Sequence, residues 1–130
     1  MSLTYSVNLW DLQHYMVIIK PNSPPQSQVY VFDFQPQDPE NIYVALAALS
    51  GRGVPGVVLM RELAKLPKSK CWFVGFSGVD GISRANRFNE LWETDLKVGR
   101  HDCRDYTNGL IECLTGEKHV LERLRGSLDS

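Results

Sequence analysis

The chain has little of what is typical of a disulfide-stabilised or zinc-binding protein. Its 130 residues contain only three cysteines, Cys71, Cys103 and Cys113, and no CxxC pair. An odd and sparse set of cysteines argues against a disulfide framework and predicts an intracellular, reducing compartment, most simply the cytoplasm. The three histidines are scattered at positions 14, 101 and 119, so the spacing of a usual zinc site is missing. No metal site is therefore expected.

The chain also lacks an excess of one charge and a long apolar run. Fourteen basic and fifteen acidic residues give a net charge of −1, without a basic block. Binding to nucleic acid or to an anionic membrane surface is therefore not expected. No apolar run reaches the roughly 18 residues of a membrane span, and the N-terminus lacks the charged-then-apolar pattern of a signal peptide. A hydrophobic content of 43% is ordinary for one globular domain over 1–130.

Apolar runs rich in β-branched and aromatic residues predict a small antiparallel sheet. Four strands are predicted, at 14–20, 29–35, 57–63 and 71–76. The proline-rich stretch 21–28 predicts the loop that joins the first two strands as an antiparallel pair. A helix over 59–65 is an alternative to the third strand. Residues 1–13 are predicted to be an irregular or partly extended lead-in segment.

Capping residues and apolar stripes predict four helices. Asp38 followed by Pro39 predicts a helix start, and that helix is expected to end at Gly51. A second helix is predicted to open at Val79-Asp80-Gly81, with its apolar residues on one side. The third is the helix that carries Cys103, and the last lies in the C-terminal helix and tail, 117–130. The predicted fold class is therefore α+β.

The stretch around Cys103 contains the clearest local pattern. Asp102 is the expected N-cap of a helix, Asp105 is placed to return the contact as in a capping box, and Gly116 supplies the stop. Cys103 then stands at or near the first helical position, where unpaired amides and the positive end of the helix dipole favour a thiolate. The alternative is that Cys103 is a small buried hydrophobe, as cysteines usually are.

Thiol catalysis needs a base and a group that orients the base. His14 opens the first core strand, and Asp33 lies in the otherwise apolar second strand, where a carboxylate is costly unless it is paired. Antiparallel pairing predicts that the two are near neighbours, and a carboxylate beside an imidazole favours the imidazolium and hence the thiolate. The alternatives are a half-exposed edge histidine at His14 and an exposed strand-end residue at Asp33. His101 is predicted to be a local structural residue.

Together these residues resemble the circularly permuted papain-like cysteine hydrolases. The resemblance is carried by His14 at a strand start, by a polar residue late in the next strand, and by the helix His101-Asp102-Cys103-Arg104-Asp105-Tyr106 that ends in Leu114-Thr115-Gly116. The nearest likeness is to the PPPDE group of deubiquitinating or deSUMOylating peptidases. NlpC-type peptidases and lecithin–retinol acyltransferase-like proteins share the same core. Asp102 stands where the PPPDE group usually has asparagine.

The resemblance implies a permuted papain-like core, in which a small antiparallel sheet packs against helices and the cysteine stands at a helix N-terminus. It implies Cys103 as the nucleophile, His14 as the base and Asp33 as the third polar residue. We therefore expect a thiol peptidase, isopeptidase or amidase that forms an acyl-thioester, needs no cofactor and acts on a peptide or ubiquitin-like conjugate. The alternatives are a catalytically inactive papain-like interaction domain and a thiol acyltransferase.

Overall fold

A computed structural model of the chain describes residues 2–9, 14–21, 28–38, 41–68, 70–78 and 80–129. The elements in chain order are β1 (Ser2–Leu9), β2 (His14–Pro21), β3 (Val29–Pro36), α1 (Ile42–Leu49), β4 (Val54–Leu63), β5 (Cys71–Ser77), α2 (Gly81–Leu91), β6 (Asp95–Leu96), α3 (Cys103–Thr115) and α4 (Val120–Asp129). The predicted α+β class is confirmed, because these helices accompany a sheet whose described strand pairs are all antiparallel.

The sheet has the strand order β5-β1-β2-β3-β4-β6. The predicted antiparallel pairing of the two core strands is confirmed, with Val17 of β2 opposite Phe32 of β3. The stretch 57–63 is a strand, as predicted, and belongs to the longer β4, which pairs with β3 from Gly56 to Leu63. The helix considered for 59–65 is not formed, because this register places its apolar residues against β3.

The lead-in segment predicted for 1–13 is instead a regular strand over Ser2–Leu9. This strand, β1, lies between β2 and β5 and pairs with both. Its sequence alternates large apolar residues with small polar ones, which is the period of two that strands show. The prediction of an irregular segment is therefore wrong for these residues, and residues 10–13 lie outside the described part of the chain.

Helix α1 begins later than predicted. Its N-cap is Asn41, whose side-chain oxygen accepts from the amides of Tyr43 at 2.9 Å and Val44 at 3.4 Å. The predicted cap, Asp38, accepts instead from the Asn41 amide through its carbonyl, at 3.2 Å. Asparagine caps a helix as well as aspartate does, and the apolar run follows Asn41 directly. Residues 39–40 lie outside the described part of the structure.

The two faces of the sheet are packed differently. The helix face is the side on which α3 packs; its core contains Val17, Ile19, Phe32 and Phe34 from the sheet with Tyr106, Leu110, Ile111 and Leu114 from α3. The far face is the opposite side; its core contains Met16, Ile18, Val29 and Val31, with Leu66 and Cys71 packed against them. Strand alternation produces this division, since successive side chains point to opposite faces.

Helix α3 is positioned at both of its ends. The guanidinium of Arg84 in α2 donates to the carbonyls of Cys113 and Leu114, near the C-terminal end of α3. At the other end, the ring of Tyr106 lies 6.1 Å from the ring of Phe34, late in β3. Since β2 runs antiparallel to β3, the first turn of α3 lies at the end of the sheet where β2 begins and β3 finishes. Within the described residues, no helix has the length and apolar character needed to cross a membrane.

Candidate functional site

Cys103 is the first residue of α3 and is partly exposed. The Asp102 carboxylate accepts from the Arg104 amide at 3.0 Å, and the Asp105 carboxylate accepts from the Asp102 amide at 3.0 Å. Both halves of the predicted capping box are thus confirmed, as is the stop at Gly116, which has a left-handed φ of 80°. The Cys103 main chain therefore lies at the positive end of a well-defined helix dipole.

Asp102 also holds the loop that leads into the helix. Its second carboxylate oxygen accepts from the Gly99 amide at 2.7 Å and from the Arg104 guanidinium at 3.4 Å. Burial raises the pKa of Asp102, but the hydrogen bonds from the Gly99 and Arg104 amides and from the Arg104 side chain outweigh it, so that the pKa lies below its ordinary value. The carboxylate is consequently ionised at neutral pH.

We expect Asp102→Ala to lower the free energy of unfolding at pH 7 by about 2 kcal/mol, because an N-cap and a second amide bond are lost. A pKa lowered by folding stabilises the protein above the unfolded value of about 4, and that contribution is lost as the pH falls through the lower folded value. Urea unfolding between about pH 2 and pH 7 should therefore show that the free energy of unfolding falls less steeply with acidification in the variant than in the unsubstituted protein. If the free energy of unfolding fell equally steeply with acidification in both proteins, this account would be contradicted.

His101 lies in an aromatic cluster beside the helix start. Its ring stacks on the indole of Trp92, with centroids 4.2 Å apart and planes 14° apart, and meets the edge of Phe34 at 5.6 Å. Its Nε2 atom donates to the Glu93 carbonyl at 2.7 Å. Its main chain exchanges hydrogen bonds with Lys97, at 3.0 and 2.8 Å. These contacts fit the predicted structural role of His101, which is to fix the turn before Cys103.

His14 is the first residue of β2, and its main chain pairs with Leu9 of β1. The His14 side chain lies outside the described part of the structure. The start of β2 and the first turn of α3 lie at the same end of the sheet, so the main chains of His14 and Cys103 belong to the same end of the domain. The approach of the His14 imidazole to the Cys103 sulfur stays a prediction.

Asp33 lies on the far face of the sheet and is only 1% exposed. Its carboxylate forms an ion pair with Arg61 at 3.6 Å, and the same guanidinium contacts the sulfur of Met16 at 3.2 Å. The exposed strand-end alternative for Asp33 is thus wrong, and the expected pairing of a buried carboxylate is met by Arg61. Because α3 packs on the helix face, the sheet separates Asp33 from Cys103. The orienting role of Asp33 stays a prediction.

Tyr106 links the first turn of α3 to α2, and its position in the sequence did not predict this contact. Its hydroxyl donates to the side-chain oxygen of Asn89 at 2.6 Å. Burial, with a smaller contribution from the charge of Asp33, raises the pKa of Tyr106 far above its ordinary value, against the hydrogen bond to Asn89. The phenol therefore remains protonated and acts as a fixed hydrogen-bond donor. The apolar stripe of α3 predicts that Tyr106 is buried, but it does not show which residue accepts the hydrogen bond from its hydroxyl.

The other two cysteines lie away from helix starts. Cys71 begins β5, and burial raises the pKa of its thiol. Cys113 lies within the body of α3 and is partly buried. Across the described residues, no group of three or more histidine, cysteine, aspartate or glutamate side chains is arranged to hold a metal ion.

Fold and site together define an α+β protein whose central helix begins with a partly exposed thiol. Comparison of the chain with protein-family models, with characterised proteins and with solved structures found no match. The resemblance to permuted papain-like hydrolases therefore stays a prediction from the sequence.

Proposed function

We propose that the chain is a cysteine hydrolase of the circularly permuted papain-like type, with Cys103 as its nucleophile. One observation carries the proposal: a partly exposed thiol begins a capped helix at the end of the sheet where β2 starts with His14. The positive end of a helix dipole stabilises a thiolate, and main-chain amides at a helix start can also stabilise the oxyanion that forms when the thiolate attacks a carbonyl.

In the proposed reaction, the Cys103 thiolate attacks the carbonyl carbon of an amide, isopeptide or ester. The tetrahedral intermediate collapses to an acyl-thioester as the bond to the leaving group breaks, and the His14 imidazolium gives its proton to the departing amine or alcohol. Water then attacks the thioester while His14 takes a proton, which releases the acid and restores the thiol. The Cys103 amide supplies one donor to the oxyanion.

Asp33 is the weakest member of the proposed triad. The pairing of Val17 with Phe32 brings Asp33 alongside the β2 residue that precedes Val17, two positions from His14. Arg61 binds the same carboxylate on the far face. The proposal therefore depends on the pair formed by Cys103 and His14, and Asp33 contributes at most a secondary charge.

Alkylation rates of the three cysteines test the proposal. At pH 7 we expect iodoacetamide to label Cys103 at least about tenfold faster than Cys71, since burial raises the Cys71 pKa and keeps its thiol protonated. Timed quenching followed by peptide mass spectrometry gives each rate. The denatured chain is the control, because unfolding should make the three rates nearly equal. Slow and equal labelling in the native protein would exclude the hydrolase.

A second candidate, the catalytically inactive papain-like interaction domain, is favoured by the far-face position of Asp33 and by the ionised Asp102 beside Cys103. An extra negative charge next to a thiol opposes its ionisation. This candidate predicts that Cys103 forms no acyl adduct with an activated ester such as p-nitrophenyl acetate. The hydrolase predicts a Cys103 acetyl-thioester that hydroxylamine removes, and that Cys103→Ser abolishes.

A further inference from the structure

Strand β4 is longer than the strand that pairs with its outer side. It runs from Val54 to Leu63, but β6 pairs only with Val54 and Pro55. The amide of Gly56 then donates to the Thr94 carbonyl at 2.7 Å, which is where the paired segment ends. Among the strands that the structure describes, none lies beside β4 from residue 57 onward. Every second residue there directs its amide and carbonyl away from β3.

The unfilled strand position coincides with a groove of about 630 Å³ between β4 and α2. Val58 and Met60 of β4 lie opposite Phe34 and Phe32, so they line the groove from the helix face. Met60 is 51% exposed, which is unusual for a methionine on the face that packs the core. The groove therefore offers an apolar floor beside unpaired main-chain donors and acceptors.

The opposite wall of the groove is polar. It is formed by Asn86, Asn89 and Glu90 of α2. Carboxamides can both donate to and accept from a main chain, so they suit a ligand of mixed polarity. Of the described residues that line the groove, Glu90 alone is charged, and that charge is negative. A neutral or basic ligand is thus favoured over an acidic one.

The groove is connected to the proposed catalytic helix. Asn89, on its wall, accepts the hydrogen bond from the hydroxyl of Tyr106, three residues after Cys103 in α3. At the Gly56 end, the groove begins next to Pro36, the last residue of β3. This is the same end of the sheet at which α3 starts, so a chain bound in the groove would run from that end along β4.

We infer that an extended peptide binds in this groove by adding a strand to β4, on the line that β6 begins. The inference rests on the proposed function and names its substrate class, a neutral or basic peptide segment in extended conformation. Three features favour this occupant: continuity with β6, main-chain groups at alternate residues of 57–63 that no described strand pairs, and a negative charge at Glu90. Main-chain hydrogen bonds give affinity in such strand addition, and side-chain pockets give selectivity.

Binding is tested on the full chain with Cys103→Ala, so that no chemistry intervenes. The probe is a fluorescein-labelled octapeptide of alternating threonine and valine with one central lysine. Its binding is measured by fluorescence anisotropy. A matched peptide, N-methylated at every residue, cannot donate from either of its edges and is expected to bind at least about tenfold more weakly. Equal affinity for the two peptides would overturn strand addition.

Charge and location have their own controls. Glu90→Gln is expected to lower the affinity for the lysine probe about threefold. It should leave unchanged the affinity for a second probe in which glutamine replaces the lysine. Glu112→Gln, on the exposed side of α3, should change neither affinity. Hydrogen exchange should show new protection at alternate amides within 57–63 when the probe is bound. If these amides were protected without peptide and sedimentation showed a dimer, a second copy of the chain would be the partner of β4, and the inference would be overturned.

The outcomes separate this inference from the proposed function. Peptide binding by Cys103→Ala, combined with slow alkylation of Cys103 in the parent protein, would retain the groove and exclude the hydrolase. Fast alkylation without probe binding or amide protection would retain the hydrolase and overturn the peptide groove.

Discussion

Gly56→Ala is expected to lower the free energy of unfolding by about 3 kcal/mol, although it adds only one methyl group. A Cβ atom at this position would lie 2.6 Å from the ring of Phe34 and 2.8 Å from the carbonyl oxygen of Thr94. Phe34 is completely buried, and its ring is held by Trp92 and His101. Neither the ring nor the main chain has room to move away.

Gly53→Ala is the matched control for this prediction. A Cβ at Gly53 would also approach a neighbour at 2.6 Å, but that neighbour is the exposed carboxylate of Asp95, which can rotate into solvent. We expect a change of less than about 1 kcal/mol. Urea denaturation of both variants, compared at a common m value, measures the difference. Similar losses in the two variants would show that Phe34 does adapt.

Gly56→Ala should also affect the region around Cys103. Phe34 contacts the rings of both His101 and Tyr106, which lie just before Cys103 and in the first turn of α3. A displaced Phe34 ring therefore disturbs the turn before Cys103 and the contact between α3 and α2. The glycine at position 56 thus connects the packing of the sheet edge with the geometry of the helix start.

The sequence predicted those features whose causes are local. The helix start at Asp102 was predictable because a cap and its capping box involve residues only three apart. The Gly116 stop and the pairing of β2 with β3 have equally local causes, a left-handed glycine and a short connection. The prediction was wrong for strand β1, although its sequence alternates apolar and polar residues with the period of a strand.

The features that the sequence could not predict depend on contacts between distant residues. Asp33 required a partner, but nothing in its own strand shows that Arg61, 28 residues later, supplies the charge from the far face. The stacking of His101 on Trp92 and the hydrogen bond from Tyr106 to Asn89 likewise join separate elements. Likewise, β6 pairs with only two residues of β4, so that no described strand lies beside β4 from residue 57 onward.

His14→Ala is expected to slow the alkylation of Cys103 at pH 7 by about tenfold. An unperturbed cysteine has a pKa of about 8.5, so only a few per cent of it is thiolate at pH 7. A neighbouring imidazolium increases that fraction, although a more acidic thiol is also a weaker nucleophile, which limits the gain. The measurement is the second-order rate constant for iodoacetamide at Cys103 between about pH 5 and pH 9.

The shape of the pH profile, rather than the rate alone, identifies the partner. With His14 paired to the thiol, the rate should stay high well below the ordinary thiol pKa, and in His14→Ala it should rise only towards that pKa. His119→Asn is the control, because His119 is exposed with a left-handed φ of 52° that asparagine tolerates. Asp33→Asn should change the rate by less than about threefold, since Arg61 holds that carboxylate on the far face. If His14→Ala and His119→Asn gave the same profile as the parent, Cys103 would have no imidazole partner near the start of β2, and the α+β scaffold would carry binding rather than hydrolysis.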